Sequence, residues 1–331
     1  MNIDLNKINR ILIVRLSSLG DILLTTPLVR SLKKQFQSIE IDYLLRKGYQ
    51  DTYSYNPYIS NLHLYENQKN NLLTEQLQSR NFDLIIDLQN NIRSNRITNK
   101  LKVLTLKFHK KSLDKFLLVK FKINRMKDLH QIPVRYAEVI PKFELDKEGL
   151  ELYLPDNITS KIKRENNLIG FCPGSRHFTK KWPVDYFCEL GNSLSRMGYK
   201  IVLFGGKDDK ELCKQIADNI PDSVDLSNND LLLQSACDMK NCKALVCNDS
   251  GLMHLACAVN VPVILLMGST VKEFGFAPYK NKNLILENNL LSCRPCSHIG
   301  KEKCPKKHFK CMIDIKPNNI LDKIIEFLRE I

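Results

Sequence analysis

The chain has 331 residues, of which 43% are hydrophobic and 26% charged, and 50 Lys and Arg against 36 Asp and Glu give a formal net charge of +14. This balance excludes a disordered chain, and an apolar run of about 18 residues, as a transmembrane helix needs, is absent. The length predicts two domains. The first residues do not form a signal-peptide pattern, so we expect a cytoplasmic protein.

The first half of the chain predicts strands that alternate with helices. Short apolar runs, typical of buried strands in a parallel sheet, occur at residues 11–14, 39–45 and 83–88. A helical pattern covers 21–36. Asp21 stands at its start, where the helix dipole keeps the carboxylate ionised, so it is a candidate base of modest strength. The same position also suits an ordinary capping residue.

A basic segment lies between Lys100 and Lys127. It contains ten basic residues and one acid, Asp114, and so supplies +9 of the net charge of +14. The lysines alternate with apolar side chains, which suits a membrane surface or a lipid-linked anionic partner better than open solvent. A solvated lysine-rich face is the alternative.

The second half of the chain repeats the series of strand, polar Gly-containing loop and helix. The predicted strands are 168–172, 200–204, 244–247 and 262–267. This repeat is typical of a doubly wound parallel sheet, in which ligands bind beyond the carboxyl ends of the strands. We therefore expect the loops after these strands to form a binding site.

The loop 173–183, which follows the first of these strands, is the segment best suited to phosphate. Gly174 lets a ligand approach the backbone, and Ser175 offers a hydroxyl. Arg176 and Lys180 supply positive charge. The spacing is not that of a Walker loop, and a basic surface loop is an equally good interpretation.

Polar residues also follow two later strands. Asp249 and Ser250 stand at a predicted helix N-terminus, where free amides and the helix dipole attract phosphate. His254 lies on the same helix face as Ser250, although an ordinary N-cap with this histidine in the core fits as well. Asp209 could hydrogen-bond a ribose hydroxyl, as could the nearby Glu211, or each could be a plain first-turn acid.

The 11 cysteines all lie at or after Cys172, and their odd number in a cytoplasmic chain indicates free thiols. Some late cysteines have spacings that a structural zinc site uses. These are Cys293, Cys296, Cys304 and Cys311. We expect reduced thiols in a loop rather than zinc, and no cofactor for catalysis.

Together these segments resemble glycosyltransferase family nine, the ADP-heptose:lipopolysaccharide heptosyltransferases. The residues that carry the resemblance are 11–27, 83–89, His130 with Arg135-Tyr136, Pro173-Gly-Ser175 with Lys180-Lys-Trp-Pro183, Phe204-Gly-Gly206, Asn248-Asp-Ser-Gly-Leu-Met-His254 and Gly268-Ser-Thr270. The family implies an α/β protein with the GT-B fold, in which two Rossmann-like doubly wound domains face a central cleft. Residues 1–160 would bind the acceptor, 161–315 would bind an ADP-sugar, and 316–331 would form a helix that packs back on the N-terminal domain.

The resemblance also implies roles for single residues. Asp21 resembles the base that deprotonates an acceptor hydroxyl, which attacks the anomeric carbon from the face opposite ADP and inverts its configuration. Other positions resemble residues that hold the pyrophosphate and ribose of the donor. These are Ser175, Arg176, Lys180, Asp209, Asp249, Ser250, Gly251 and His254. Some members have Thr in place of Ser175 and Ser250, which preserves the hydroxyl.

The implied reaction moves a heptose from ADP-heptose to the inner core of lipopolysaccharide, on either a lipid A–Kdo or a heptosylated acceptor. Lys110, Lys111 and Lys115 of the basic segment are then placed to meet lipid phosphates, as in a peripheral protein on the cytoplasmic face of the inner membrane. Another nucleotide sugar or glycan acceptor is the alternative within the family. A nucleic-acid-binding protein would fit the charge, but the chain has no recognisable nucleic-acid motif, so we expect no nucleic-acid partner.

Overall fold

The computed structural model describes residues 4–66, 70–165 and 167–331. The chain divides into two compact units, and each unit is built on one parallel β-sheet. The first unit comprises Met1–Lys111 and His130–Tyr153, and the second comprises Ser112–Leu129 and Leu154–Ile331. This architecture confirms the predicted α/β fold with two Rossmann-like sheets.

The sheet of the first unit is centred on the earliest strand of the chain. Its strands are β1 (Arg10–Val14), β2 (Glu40–Arg46), β3 (Asn61–Tyr65), β4 (Leu84–Asp87) and β5 (Thr105–Lys107). They pair in parallel in the order β3-β2-β1-β4-β5. The apolar residues of β1 from Ile11 to Val14 are fully buried, because neighbouring strands and covering elements leave no face of a central parallel strand in water.

The register of this sheet determines where the first-unit loops emerge. Val14 at the end of β1 pairs with Leu44 on β2 and with Asp87 at the end of β4. Asp87 in turn pairs with Lys107 at the end of β5. The loops that follow β1, β4 and β5 therefore leave the same carboxyl edge of the sheet.

Helices in the first half of the chain begin and end at local sequence signals. They are α1 (Leu19–Leu23), α2 (Thr26–Gln35), α3 (Asn70–Ser79), α4 (Ile92–Leu101), α5 (Ser112–Phe121) and α6 (Ile132–Ala137). The helix predicted over 21–36 is divided into α1 and α2. Pro27 stands in the first turn of α2, where its missing amide hydrogen costs nothing.

A buried ion-pair cluster joins the returning segment His130–Tyr153 to α2. Arg30 donates from Nε and Nη2 to the two carboxylate oxygens of Asp146, each at 2.7 Å, and from Nη1 to Glu151 at 2.8 Å. Because Arg30 is only 4% exposed, this bidentate pairing compensates for the loss of its hydration. The cluster fixes the returning segment to the first unit.

The sheet of the second unit is also parallel. Its strands are β6 (Leu168–Cys172), β7 (Lys200–Leu203), β8 (Val224–Asp225), β9 (Ala244–Asn248), β10 (Val263–Met267) and β11 (Asn283–Glu287). They pair in the order β11-β10-β9-β6-β7-β8. Every residue of β6, β9 and β10 is buried, which accounts for the uninterrupted apolar runs in the sequence.

The helices of the second unit cover this sheet. They are α7 (Val184–Arg196), α8 (Lys210–Ala217), α9 (Leu232–Met239), α10 (Gly251–Ala258), α11 (Lys310–Ile313) and α12 (Pro317–Glu330). The side chains of Phe187 and Leu190 on α7 belong to the same core cluster as Phe171 on β6. Of the helices within the described ranges, none is both long and apolar enough to cross a lipid bilayer.

The segment Ser112–Leu129 differs from the predicted domain boundary. The prediction places it in the N-terminal domain 1–160, but it belongs to the second unit, as does the chain from Leu154 onward. The reason is a small apolar cluster, in which Leu118 and Met126 pack with Phe274. Burial of these side chains outweighs their position along the chain.

The last helix also corrects the prediction. Helix α12 was expected to pack on the N-terminal domain, but its buried residues Ile320, Ile324 and Leu328 belong to the core of the second unit. Their spacing of four residues places them on one helix face, and that face packs beside α7 and β11.

Candidate active site

Asp21 lies in α1, just beyond the carboxyl end of β1. Its Oδ1 is 2.6 Å from Nη2 of Arg15, and its Oδ2 accepts hydrogen bonds from the hydroxyl of Ser18 at 2.7 Å and from its amide at 3.2 Å. The contact with the Ser18 amide is part of a capping box at the start of α1, so Asp21 also fills the capping role that the sequence allowed. The Asp21 side chain remains 21% exposed, which leaves the carboxylate accessible to a hydroxyl.

The guanidinium of Arg15 controls the charge of Asp21. Burial by itself raises the pKa of the Asp21 carboxyl, but the positive charge of Arg15 and the hydrogen bonds from Ser18 outweigh burial and hold this pKa below its usual value. Arg15 is fixed in turn by donating to the carbonyls of Ser17 at 2.9 Å and Leu88 at 2.6 Å. Asp21 is therefore ionised at neutral pH, and its carboxylate is held in a fixed orientation by Arg15 and Ser18.

Gln89 holds the loop that precedes Asp21, a role that the sequence motifs did not assign to it. Its Oε1 accepts hydrogen bonds from the amides of Leu16 at 3.0 Å and Ser17 at 3.2 Å. The carboxylate of Asp87 accepts from the Gln89 amide at 2.9 Å and so fixes the turn after β4. The signal that could have identified Gln89 is a polar residue directly after a buried strand.

The lysines predicted to meet the acceptor lipid belong to different units. Lys110 lies in the first unit just beyond β5, where burial and the nearby positive charge of Arg15 lower its pKa. Lys111 is exposed, and Lys115 lies on α5 in the second unit. Of these three lysines, only Lys110 lies at the carboxyl edge of the first sheet, near Asp21.

In the second unit, Lys180 and Asp249 form a mostly buried ion pair at the carboxyl ends of β6 and β9. Lys180 Nζ lies 2.7 Å from Asp249 Oδ2, and the same oxygen accepts the hydroxyl of Thr270 at 2.7 Å. Burial alone raises the pKa of Asp249, but the charge and hydrogen bond of Lys180 outweigh it, so this pKa is lowered. The structure therefore brings together two predicted site residues and adds Thr270.

Ser250 and Gly251 form the N-terminus of α10, beside this ion pair. Ser250 is the N-cap residue, but its side chain makes no capping hydrogen bond. The Ser250 Oγ is buried and has no hydrogen-bond partner among the described residues. An ordinary N-cap serine would satisfy a helix amide, so the arrangement instead leaves a hydroxyl and free amides for an anion.

His254 lies one turn further along α10 and is 4% exposed. It is close enough to Asp249 for its charge to contribute to lowering the pKa of that carboxyl. The structure therefore places His254 both in the core, as one interpretation predicted, and beside the ion pair, as the other predicted.

The loop 173–183 is fixed by Asn248, the last residue of β9. Asn248 Nδ2 donates to the carbonyl of Pro173 at 2.7 Å, and its Oδ1 accepts the amide of Trp182 at 3.1 Å. These bonds fix both ends of the loop, in which Ser175 is buried and Arg176 is exposed. Asn248 belongs to one of the motifs that carry the family resemblance, but the sequence analysis gave it no role. Its position at the end of a buried strand is the signal that could have identified it.

Asp209 lies against Gly174 at the next strand end. A Cβ on Gly174 would collide with the Asp209 carboxylate, so any other residue there would displace that side chain. Burial raises the pKa of Asp209, and a hydrogen bond from the Gly206 amide at 3.4 Å opposes this effect. The structure places Asp209, rather than Glu211, at the loop that carries Ser175.

The four late cysteines lie in the part of the chain that follows β11 and ends with α11. Cys293 Sγ lies 3.8 Å from Nε2 of His308, and burial raises the pKa of the Cys296 and Cys311 thiols. Within the described ranges, no group of three or more His, Cys, Asp or Glu side chains is arranged to hold a metal ion. The fourth cysteine, Cys304, accepts a hydrogen bond from a backbone amide at 3.4 Å.

Comparison with known proteins shows which family the chain belongs to. The family model described as "Glycosyltransferase family 9 (heptosyltransferase)" matches residues 71–307, which is most of the chain. A lipooligosaccharide heptosyltransferase 2 of Haemophilus influenzae is 28% identical, and the alignment covers 96% of this chain and 99% of that protein.

Solved structures share the fold. A glycosyltransferase family 9 protein from Veillonella parvula has a TM-score of 0.80 at 23% identity, covering 100% of this chain and 99% of that chain. The E. coli heptosyltransferase WaaC with ADP-2-deoxy-2-fluoro heptose has a TM-score of 0.70 at 19% identity, covering 96% of this chain and 99% of that chain. At these identities, the likeness shows the fold alone.

Proposed function

Because this chain belongs to glycosyltransferase family 9, we propose that it moves a heptose from ADP-heptose to the inner core of lipopolysaccharide. The chain is a glycosyltransferase, and the H. influenzae relative that it matches along almost its whole length is a lipooligosaccharide heptosyltransferase. The acceptor is then an inner-core sugar, either Kdo on lipid A or a first heptose.

The observation that carries this proposal is the unpartnered hydroxyl of Ser250 at the start of α10. It lies beside the pair of Lys180 with Asp249, so a hydroxyl, helix amides and an ammonium group are concentrated at the carboxyl edge of one sheet. This combination suits the diphosphate of a nucleotide sugar. Asp209, which lies against Gly174, is proposed to accept hydrogen bonds from the ribose hydroxyls.

The reaction proposed for Asp21 is a single displacement. Its carboxylate takes the proton of the acceptor hydroxyl as that oxygen forms a bond to the anomeric carbon of heptose, and the bond from that carbon to ADP breaks with its electrons staying on the phosphate. Since the charge of Arg15 keeps Asp21 weakly basic, the proton moves late, when the attacking oxygen has become acidic. Attack opposite ADP inverts the anomeric centre.

Departure of ADP is assisted in the second unit. Negative charge grows on the phosphate oxygen as the sugar bond breaks, and Lys180, Ser250 and the amides of α10 are already oriented to receive it. Asn248 anchors both ends of the loop that carries Lys180.

Titration calorimetry tests the choice of donor. We expect the purified chain to bind ADP and ADP-heptose and to bind UDP-glucose much more weakly. Equal or stronger binding of UDP-glucose would favour the alternative of another nucleotide sugar. A folded protein that binds none of these ligands would contradict the proposed function.

The pair of Arg15 with Asp21 makes a pH-dependent prediction. The wild-type pKa of Asp21 lies below its usual value, so loss of kcat/KM through protonation of this group is confined to strongly acidic pH. In Arg15→Gln, burial is no longer opposed by the guanidinium, so the pKa rises and the acidic fall in kcat/KM moves to higher pH. Pre-steady-state or steady-state rates across pH measure this shift.

Arg10→Gln is the control for that shift. Arg10 lies at the opposite end of β1, where it pairs with Glu40. It should leave the pH profile unchanged, and an Arg15→Gln profile that coincides with wild type would contradict the role of the ion pair.

We also propose that the exposed face of α5 contacts an anionic lipid surface. Leu113, Phe116 and Phe121 are 65%, 56% and 58% exposed, and Lys120 lies on the same outer face. Such a mixture of apolar and basic side chains suits the boundary between lipid head groups and acyl chains. Lys110 and Lys111, which belong to the first unit, are proposed to contact lipid phosphates by themselves.

Vesicle sedimentation tests the lipid proposal. The double variant Leu113→Ser with Phe116→Ser is expected to lower partitioning onto phosphatidylglycerol vesicles by about tenfold or more, since each buried side chain contributes about 1.5–3 kcal/mol. Leu290→Ser removes an apolar side chain that is 96% exposed elsewhere and should have no effect. Equal sedimentation of all three proteins would contradict the proposal.

A further inference from the structure

Helix α5 packs within the second unit through the side that carries Leu118 and Val119, which we call its inner face. Leu118 is buried and Val119 packs beside it, in a cluster that includes Phe274 from the loop after β10. Just past the helix, Lys122 Nζ donates to the carbonyls of Cys293 at 3.0 Å and Pro295 at 2.7 Å. These contacts lie within the second unit and fix the orientation of α5 on it.

The loop after β10, on which α5 packs, is part of the proposed phosphate site. Thr270 donates its hydroxyl to Asp249, the partner of Lys180. Ser269 donates its hydroxyl to Thr179 at 3.0 Å, and its carbonyl accepts the amide of Cys296 at 3.2 Å. The inner face of α5 therefore packs against the same loop that positions the Lys180 pair.

Lys115 lies on that inner face. It precedes Leu118 and Val119 by three and four residues, the spacings that share one side of a helix. Burial and the positive charges of Lys115 and Lys180 lower the pKa of His298, so both ammonium groups lie near one imidazole. The helix spacing places Lys115 on the face of α5 that packs against the loop after β10, and His298 is the neighbour that it shares with Lys180.

We propose that Lys115 is a second phosphate-binding lysine for the nucleotide diphosphate, acting with Lys180. This inference rests on the proposed function and extends it, because it assigns a donor contact to a residue from the first half of the sequence. A diphosphate carries more negative charge than one ammonium group neutralises, and its charge rises when the sugar leaves. The basic segment is then divided in role, with its outer face for lipid and Lys115 for the donor.

The test compares Lys115→Gln with Lys120→Gln in the full chain. Both remove one positive charge from α5, but Lys120 lies on the exposed outer face. We expect Lys115→Gln to weaken ADP binding by about tenfold, as for loss of one charge-assisted contact, while Lys120→Gln binds ADP like wild type. Lys115→Arg should retain most of the affinity, because it keeps the charge.

Binding of adenosine, which has no phosphate, distinguishes the loss of a phosphate contact from a distortion of the nucleotide site. Its affinity should be equal in wild type and Lys115→Gln, and a parallel loss of adenosine and ADP binding would overturn the inference. Unchanged ADP binding by Lys115→Gln would also overturn it. Failure of the proposed function itself would be seen differently, as a wild-type protein that does not bind ADP.

Discussion

Asp21→Asn is expected to lower kcat by about 10²- to 10⁴-fold, the usual contribution of a positioned general base. The amide preserves the shape of the side chain but cannot accept the proton of the acceptor hydroxyl. Because Asp21 belongs to the first unit and the proposed donor site to the second, the affinity for ADP should stay within about twofold of wild type. Single-turnover transfer rates and ADP calorimetry measure the two effects separately.

Asp83→Asn is the matched control for this substitution. Its carboxylate accepts the amides of Asn9 at 2.7 Å and Arg10 at 2.9 Å, just before β4 at the end of the sheet away from Asp21. We expect this variant to retain near-wild-type turnover. Full activity in Asp21→Asn would exclude Asp21 as the base.

Lys180→Met should have the second large effect, on both binding and stability. The variant removes the ammonium group proposed to hold the diphosphate, for which we expect a loss of about 10²- to 10³-fold in kcat. It also leaves Asp249 buried without its cation, and breaking such a pair costs about 3–5 kcal/mol of folding free energy. The melting temperature and the rate should therefore both fall.

The double variant Lys180→Met with Asp249→Asn separates these effects. Removing the unpaired charge should recover much of the melting temperature but not ADP binding. Lys200→Met, which breaks an exposed pair with Glu165, should change neither by a measurable amount. Recovery of ADP binding in the double variant would contradict the assignment of Lys180 to the diphosphate.

The sequence predicted the central strands of both sheets well. Apart from Arg10 at the start of β1, strands β1, β6 and β10 are uninterrupted apolar runs, because central parallel strands are buried on both faces. Edge strands lack this signal: both residues of β8 are exposed, and β5 has three half-buried residues. Such strands form because a neighbouring strand has backbone N–H and C=O groups left to pair. The local sequence does not show which strand that neighbour is.

The association of α5 with the second unit could not be predicted from local sequence. It depends on packing of Leu118 against Phe274, residues that are far apart in the chain. In the candidate site, the motifs made Asp21 and Lys180 candidates but did not indicate the hydrogen bonds of Gln89 and Asn248. These amides act through hydrogen bonds to backbone groups of other loops, and only the fold shows which loops are adjacent.

The most direct measurement is a transfer assay in which the full chain is incubated with lipid A–Kdo and with a heptosylated inner-core acceptor, each with ADP-heptose or UDP-glucose as donor. Mass spectrometry of the acceptor is expected to show the addition of a single heptose from ADP-heptose to one of the two acceptors, and no such product with Asp21→Asn. Glucose transfer from UDP-glucose with no heptose transfer from ADP-heptose would contradict the account.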